Sequence, residues 1–293
     1  MKKYILFKLI FKYFRMKTGG LRNKKGYSSS TDISPLLTII TIVRNGEQII
    51  EETIKSVVNQ KYNNMEYIII DGGSTDNTVD VIKKYENSID FWISEPDKGI
   101  YDAMNKGVLF ATGKYVNFMN AGDIFFDSNV CDKVANNILV NNSDVIYGDF
   151  VAFNDKFNSE IYVKSRPLSK IWTGMIFCHQ SVFVKTKILL HFPFDLKYKI
   201  VADFKQILAV YNEGYDFEKV EIPISKIAID GVSYSNMKTI VETIKVIYSI
   251  KPYSISVVYF LSQFLKSFFR IIIGEKLTEL IRKYKWKFKM RNC

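Results

Sequence analysis

From Leu37 onward the chain alternates between two hydrophobic periods. The β-branched run Leu37–Val43 predicts a buried strand, and Glu47–Gln60, with apolar Ile50, Ile54, Val57 and Val58, predicts a helix. The same reading makes strands of Tyr67–Ile70, Asp90–Ser94, Lys114–Met119 and Asp144–Tyr147, and helices of Thr78–Tyr85 and Tyr101–Ala111. Past residue 144 the pattern loosens. Gly148–Ile161 reads as an excursion, Asp203–Tyr211 as a helix, Phe217–Ile229 as extended, and Met237 onward as helix with a break near Pro252. Alternating strands and helices with short connections predict an α/β fold, a Rossmann-like, mainly parallel sheet flanked by helices.

Polar residues cluster where the predicted strands end: Arg44-Asn45, Asp71–Asp76, Glu95–Lys98 and Asn120–Asp123. In a parallel sheet these four clusters share one rim, the edge on which ligands of open α/β sheets sit. One such cluster is ordinary turn chemistry; four on one edge predict a site.

Composition changes this picture at the ends. Residues 1–30 hold nine Lys or Arg and no acid, and residues 262–293 hold nine against two Glu, so a total of +11 leaves residues 31–261 at −5. An acidic body excludes a nucleic-acid groove through the core. The basic ends are also apolar: Met1–Lys17 intersperses Lys and Arg among Ile, Leu and Phe, and Tyr253–Ile273 is interrupted by Lys266 and Arg270. They predict amphipathic helices lying at a membrane surface, and the first lacks the cleavage site of a signal peptide. Residues 18–35, rich in Gly, Ser and Lys, predict a linker. The resulting organisation is a basic helix and linker over 1–35, a folded body over 36–235 divided at 123/124, and a basic, aromatic-rich helical region over 236–293. Three cysteines (Cys131, Cys178, Cys293), an odd number without metal-ligand spacing, fit a reducing compartment, the cytoplasm.

Three segments, Thr38–Glu47 (TIITIVRNGE), Tyr67–Asp76 (YIIIDGGSTD) and Ile93–Gly107 (ISEPDKGIYDAMNKG), together resemble the bacterial family 2 glycosyltransferases of cell-surface polysaccharide assembly. The likeness runs from residue 36 to about 235, dense through Asp123 and thinner at Asp144–Asp149, His179-Gln180, Ala202-Asp203-Phe204 and Gly231–Ser233. It implies inverting transfer on the GT-A nucleotide-diphospho-sugar transferase fold, with a UDP-sugar donor and a lipid-linked glycan acceptor. Those partners put the enzyme on the cytoplasmic face of the membrane.

Residue roles follow from chemistry and resemblance together. Asp71, a carboxylate at a strand end, can accept hydrogen bonds from a base or ribose, and the family's matching Asp contacts uracil or ribose; Val43 and Arg44, at the end of the neighbouring strand, are expected to bind the nucleotide-sugar with it. Asp76 reads as a helix cap. Lys98, ahead of a helix on the rim, can steady phosphates, Asn105 can bond ribose or sugar, and Asp102 lies between them; Lys106 gets no role. Asn120–Asp123 matches the acidic turn that holds a divalent cation, Mg²⁺ or Mn²⁺, on the donor diphosphate. Here Asn120 and Gly122 stand where the family often has acids, so Asp123 is the metal ligand of choice and Asn120 a donor contact. The family's catalytic base matches Asp203, which as an isolated residue reads as an N-cap; Asp195 and Asp149 are the fallbacks. His179 matches a position that binds donor phosphate or acceptor, or is a buried, hydrogen-bonded histidine. Two competing classes are a sugar nucleotidyltransferase, which wants a glycine-rich basic loop where the chain reads Val43–Glu47, and an inactive membrane-associated partner of the same fold. No G-x-G-x-x-G follows the first strand, which excludes a dinucleotide dehydrogenase.

Overall fold

The computed structural model describes residues 17–22, 34–154, 159–228 and 237–250. Its strands are β1 (Lys17–Gly19), β2 (Leu37–Val43), β3 (Met65–Asp71), β4 (Phe91–Ser94), β5 (Tyr115–Phe118), β6 (Ile124–Phe125), β7 (Val145–Asn154), β8 (Ser159–Val163), β9 (Val182–Lys185) and β10 (Phe217–Ala228). The helices are α1 (Ile50–Val58), α2 (Thr78–Lys84), α3 (Ile100–Phe110), α4 (Val130–Asn141), α5 (Thr186–His191), α6 (Ala202–Asn212) and α7 (Met237–Ile250).

These strands form one sheet in the order β1-β4-β3-β2-β5-β9-β7-β10-β6, with β8 paired to β7. Strands β4, β3, β2 and β5 are parallel. β9 runs antiparallel to both β5 and β7 and so joins two halves. Every residue of β2 is buried, as its unbroken Leu-Thr-Ile-Ile-Thr-Ile-Val run requires of a strand covered on both faces. Two hydrophobic clusters lie on opposite faces of the sheet. Ile40, Ile68, Ile70 and Met104 are in one; Ile39, Ile69, Ile54 and Val134 are in the other. Gly107 sets how closely α3 lies on the sheet, since a Cβ there would meet Ile40 Cγ2 at 2.6 Å.

The register matters most for the site. Val43 pairs with Asp71, and Asp71 pairs with Ser94, so three strands end level with one another. Beyond β5, Ala121 N donates to Ile42 O at 3.2 Å, which carries the next turn to the same rim. The predicted convergence of the four polar clusters is present.

Two predictions changed. Gly148–Ile161 is not an irregular excursion: β7 continues to Asn154 and returns as β8. Contact with β10 sustains it, with a shifted register near Pro223 and a Gly148 that leaves no room for a Cβ beside Ile222 O (2.7 Å). The predicted linker is partly structured, because Lys17–Gly19 pairs with the exposed side of β4 and Arg22 reaches the buried Glu66 carboxylate. An edge strand with unpaired N–H and C=O groups favours such a cover. Finally, α7 is the described part of the C-terminal helical region; the N-terminal helix, residues 251–293 and the Gly231–Ser233 motif lie outside the described residues. Among those that are described, no helix is long and apolar enough to cross a membrane.

Candidate active site

The turn after β5 is shaped from beneath by α1. The Thr53 hydroxyl accepts from Gly122 N (2.9 Å) and donates to Asp123 O (2.8 Å). Gly122 has φ +95°, a conformation that favours glycine, and a Cβ there would stand 3.3 Å from Ile49 Cδ1. The backbone thus explains why this position carries no acid. Asp123 accepts from Gln180 Nε2 at 2.6 Å, and Gln180 Oε1 in turn accepts from the Cys178 thiol at 2.8 Å. Burial pushes the Asp123 carboxyl up to about 7 against the opposing pull of Gln180. Asn120 Oδ1 is a buried acceptor with no hydrogen-bond partner among the described residues.

Those donor atoms decide whether the turn suits a divalent cation. A carboxylate and an orphaned amide oxygen are hard ligands of the kind Mg²⁺ and Mn²⁺ take. Among the described residues no group of three or more His, Cys, Asp or Glu forms a self-contained metal site. The turn therefore offers two oxygen ligands that fit a divalent cation, and any further ligands would come from outside the described residues.

Across β2 from this turn, at the end of β3, Asp71 is fully buried. It accepts from Ser94 Oγ (2.6 Å), Ser74 N (3.0 Å) and the Ser74 hydroxyl. Asp71, the predicted nucleotide contact, ties the Gly72–Thr75 loop to β4 in this structure. Asn45, at φ +51°, pins the same loop: its N–H donates to Ser74 Oγ (2.7 Å) and its Oδ1 accepts from Thr75 N (2.9 Å). Val43 is buried beneath this loop, and Arg44 is exposed on the rim. Asp76 precedes Asn77, the N-cap of α2, so the predicted cap is displaced by one residue; its carboxylate accepts from Thr78 N at 3.0 Å and from Glu47 N at 3.2 Å.

The Glu95–Lys98 cluster leads into α3. Lys98 is exposed, and its backbone N donates to Asp102 Oδ2 at 3.0 Å. Lys106 is more engaged than predicted, lying 2.8 Å from Glu95 and 3.6 Å from Asp102. Asn105 is committed at both ends of its amide to Phe194, donating to its O and accepting from its N, each at 2.9 Å. It joins α3 to the second half of the chain rather than facing a sugar.

Asp203 stands in the first turn of α6, whose N-cap is Val201, so the isolated N-cap reading gives way. Its Oδ1 lies 3.0 Å from Tyr101 OH, which is also 2.7 Å from Ile200 O. Burial, then the neighbouring Asp203, keep the Tyr101 phenol well above its ordinary range, so it stays a donor. Burial first, then the charge of Asp123 and to a lesser extent that of Asp203, push the Cys178 thiol up to about 12. Only Asp123 is linked to the thiol by hydrogen bonds, through the Gln180 amide. His179 stacks on Phe118 (centroids 5.2 Å apart) and meets the edge of Phe194 (5.8 Å). Burial lowers its pKa against the pull of Asp203, and neither ring nitrogen has a partner among the described residues. It is thus not the hydrogen-bonded histidine of the blander prediction.

The fallback bases are excluded by their neighbours. Asp149 is buried, accepting from Tyr162 OH (2.7 Å) and Ser165 N (2.8 Å), with Lys219 at 3.4 Å. Asp195 is bound to Lys205, whose hydrogen bond holds it below the usual carboxylate range. Gln180, Tyr101, Asn45 and Ser94 were given no role from sequence. All four fall inside the quoted motifs, but each acts through a partner far away in the chain, which the motif does not show.

Residues 38–196 match the family model described as glycosyl transferase family 2, more than half of the chain. The chain belongs to this family. A PGL/p-HBAD biosynthesis glycosyltransferase of Mycobacterium bovis is 28% identical over 176 residues, covering 58% of this chain and 68% of that protein. A Haemophilus influenzae protein named as an uncharacterized glycosyltransferase is 26% identical over 238 residues, covering 78% and 94%. Among solved structures, Staphylococcus aureus TarS 1–349 in complex with UDP superimposes with TM-score 0.58 at 18% identity, over 73% of this chain and 64% of that one. The mannosyltransferase PcManGT of Pyrobaculum calidifontis, in complex with GDP-Man and Mn²⁺, gives TM-score 0.55 at 18% identity, over 72% and 63%. These likenesses establish the GT-A α/β fold, and the family membership makes the protein a glycosyltransferase.

Proposed function

We propose that this enzyme transfers a sugar, with inversion, from a UDP-linked donor to a hydroxyl of a lipid-linked glycan in surface polysaccharide assembly. The observation that carries the reading is Asp203. It is a half-buried carboxylate in a helix's first turn, held by Tyr101 from the donor half. Complexes of fold neighbours with UDP, UDP-GlcNAc and GDP-Man support a nucleotide-sugar on this rim.

In this reading the Gly72–Thr75 loop, ordered by Asp71 and Asn45, borders the nucleotide, and Arg44 and Lys98 face its phosphates. Asn120 and Asp123 would hold a divalent cation, which when bound offsets charge on the departing diphosphate. Asp203 takes the proton of the acceptor hydroxyl as its oxygen bonds the anomeric carbon. The bond from that carbon to the phosphate oxygen breaks on the opposite face, and its electron pair leaves with UDP. His179, neutral and with its ring nitrogens buried, offers one of them to acceptor or phosphate. The basic, apolar ends of the chain support docking to the anionic cytoplasmic face, where a lipid-linked acceptor resides.

Asp203→Asn tests the base. Transfer, read as UDP release across donor sugars with a lipid-linked acceptor extract, should fall by about 10²–10⁴-fold. UDP affinity by calorimetry with Mn²⁺ should stay unchanged. Retained turnover would remove Asp203 from the role.

A further inference from the structure

The backbone just before α6 is gripped from two sides. On one side, Tyr101 of α3 reaches Ile200 O and Asp203. On the other, the Glu242 carboxylate of α7 receives three successive N–H groups. Lys199 N lies at 3.2 and 3.1 Å from its two oxygens, Ile200 N at 2.9 Å and Val201 N at 3.3 Å from Oε2. The peptide flanking Ile200 is thus held at its N–H by the C-terminal helix and at its carbonyl by the donor half.

Val201, the N-cap of α6, has no side-chain acceptor to offer. Glu242 supplies a carboxylate at that end from another helix, where the helix dipole and a concave row of N–H groups both favour negative charge. Its own helix is anchored by Val246 and Ile247, which are fully buried and share a core cluster with Val201, Ala202 and Phe204. This anchoring makes Glu242 a fixed point, and Asp203 follows two residues after the segment it holds.

We propose that Glu242 is a positioning residue for the transfer reaction: it locks residues 199–201 so that the Asp203 carboxylate stands at the acceptor hydroxyl. The inference rests on Asp203 being the base. Misplacing a catalytic group by about 1 Å costs on the order of 10²-fold in rate, whereas donor binding depends on other elements.

The test compares Glu242→Ala and Glu242→Gln in the full chain. With Glu242→Ala, kcat for UDP release should fall about 10–100-fold. Donor KM and calorimetric UDP affinity with Mn²⁺ should stay within about twofold, inside the usual error of additivity. Hydrogen exchange should speed up at the amides of Lys199–Val201 and stay unchanged in Leu37–Val43. Glu242→Gln keeps the packing and one acceptor oxygen, so it should recover part of kcat; it also stands in if the alanine variant does not fold. The double variant Asp203→Asn/Glu242→Ala should be no slower than Asp203→Asn alone, because both changes remove the same contribution. An unchanged kcat in both single variants, a parallel loss of UDP affinity, or full additivity overturns the proposal. Full turnover by Asp203→Asn would instead overturn the assignment of the base, so the two failures read differently.

Discussion

Burial at Asp123 works against folding, and that cost makes a prediction. Its carboxyl is raised to about 7 in the folded chain, against about 3.9 in an unfolded one. Below the unfolded value both states are protonated and nothing is lost. As pH rises toward 7 only the unfolded state ionises, so stability falls, and above 7 the full cost remains. Every tenfold difference in proton affinity between the two states is worth about 1.4 kcal/mol. Asp123→Asn should therefore stabilise the metal-free protein against urea at pH 8, with the gain fading toward pH 4, while metal-dependent UDP binding is lost. A second prediction concerns Gln180, whose amide fixes Asp123 from across the two halves. Gln180→Leu should weaken Mn²⁺-dependent UDP binding by about 10–100-fold, measured by calorimetry, without disturbing the sheet. Asp123 was legible in sequence because its motif is contiguous. Gln180 was not, because its partner lies 57 positions away.

Among the elements, the parallel strands were legible and the edges were not. Strand β2 announces itself by an unbroken β-branched run, since a strand covered on both faces has no polar side to show. Strand β1 carries only Lys-Thr-Gly and exists through pairing with β4 and through Arg22. The Glu66 carboxylate beneath it also accepts from Thr38 Oγ1 (2.6 Å) and Thr112 N (2.8 Å). With Arg22 and Glu66 side chains only 9% and 4% exposed, their pair is a buried one. Arg22→Ala would leave a buried charge without its cation. The expected loss is about 3 kcal/mol, visible in urea unfolding, with donor affinity retained because the site lies at the other end of the strands. The hairpin of β7 and β8 escaped prediction for a similar reason: its partner is β10, more than sixty residues on.

Across the whole molecule the charge is divided between an acidic body and basic apolar ends. If the ends dock the enzyme, the full chain should co-sediment with vesicles containing anionic lipid and not with neutral ones. Binding should weaken as salt rises, since the surface potential acts within about a Debye length. Salt-insensitive binding, or none, would remove the membrane from the proposed function. The sequence by itself determined the fold class, the strand ends that make the rim, and the identity of Asp123 and Asp203 as candidates. Those properties are written in local hydrophobic period and contiguous motifs. Only the tertiary structure decided what each side chain does there. It closed Asp71 into a loop, tied Asn105 to Phe194, removed Asp149 and Asp195 from contention, and set Asp203 between Tyr101 and the helix bearing Glu242. A hydrogen bond between residues a hundred positions apart leaves no periodic trace in sequence, because it depends on where folding brings two elements together.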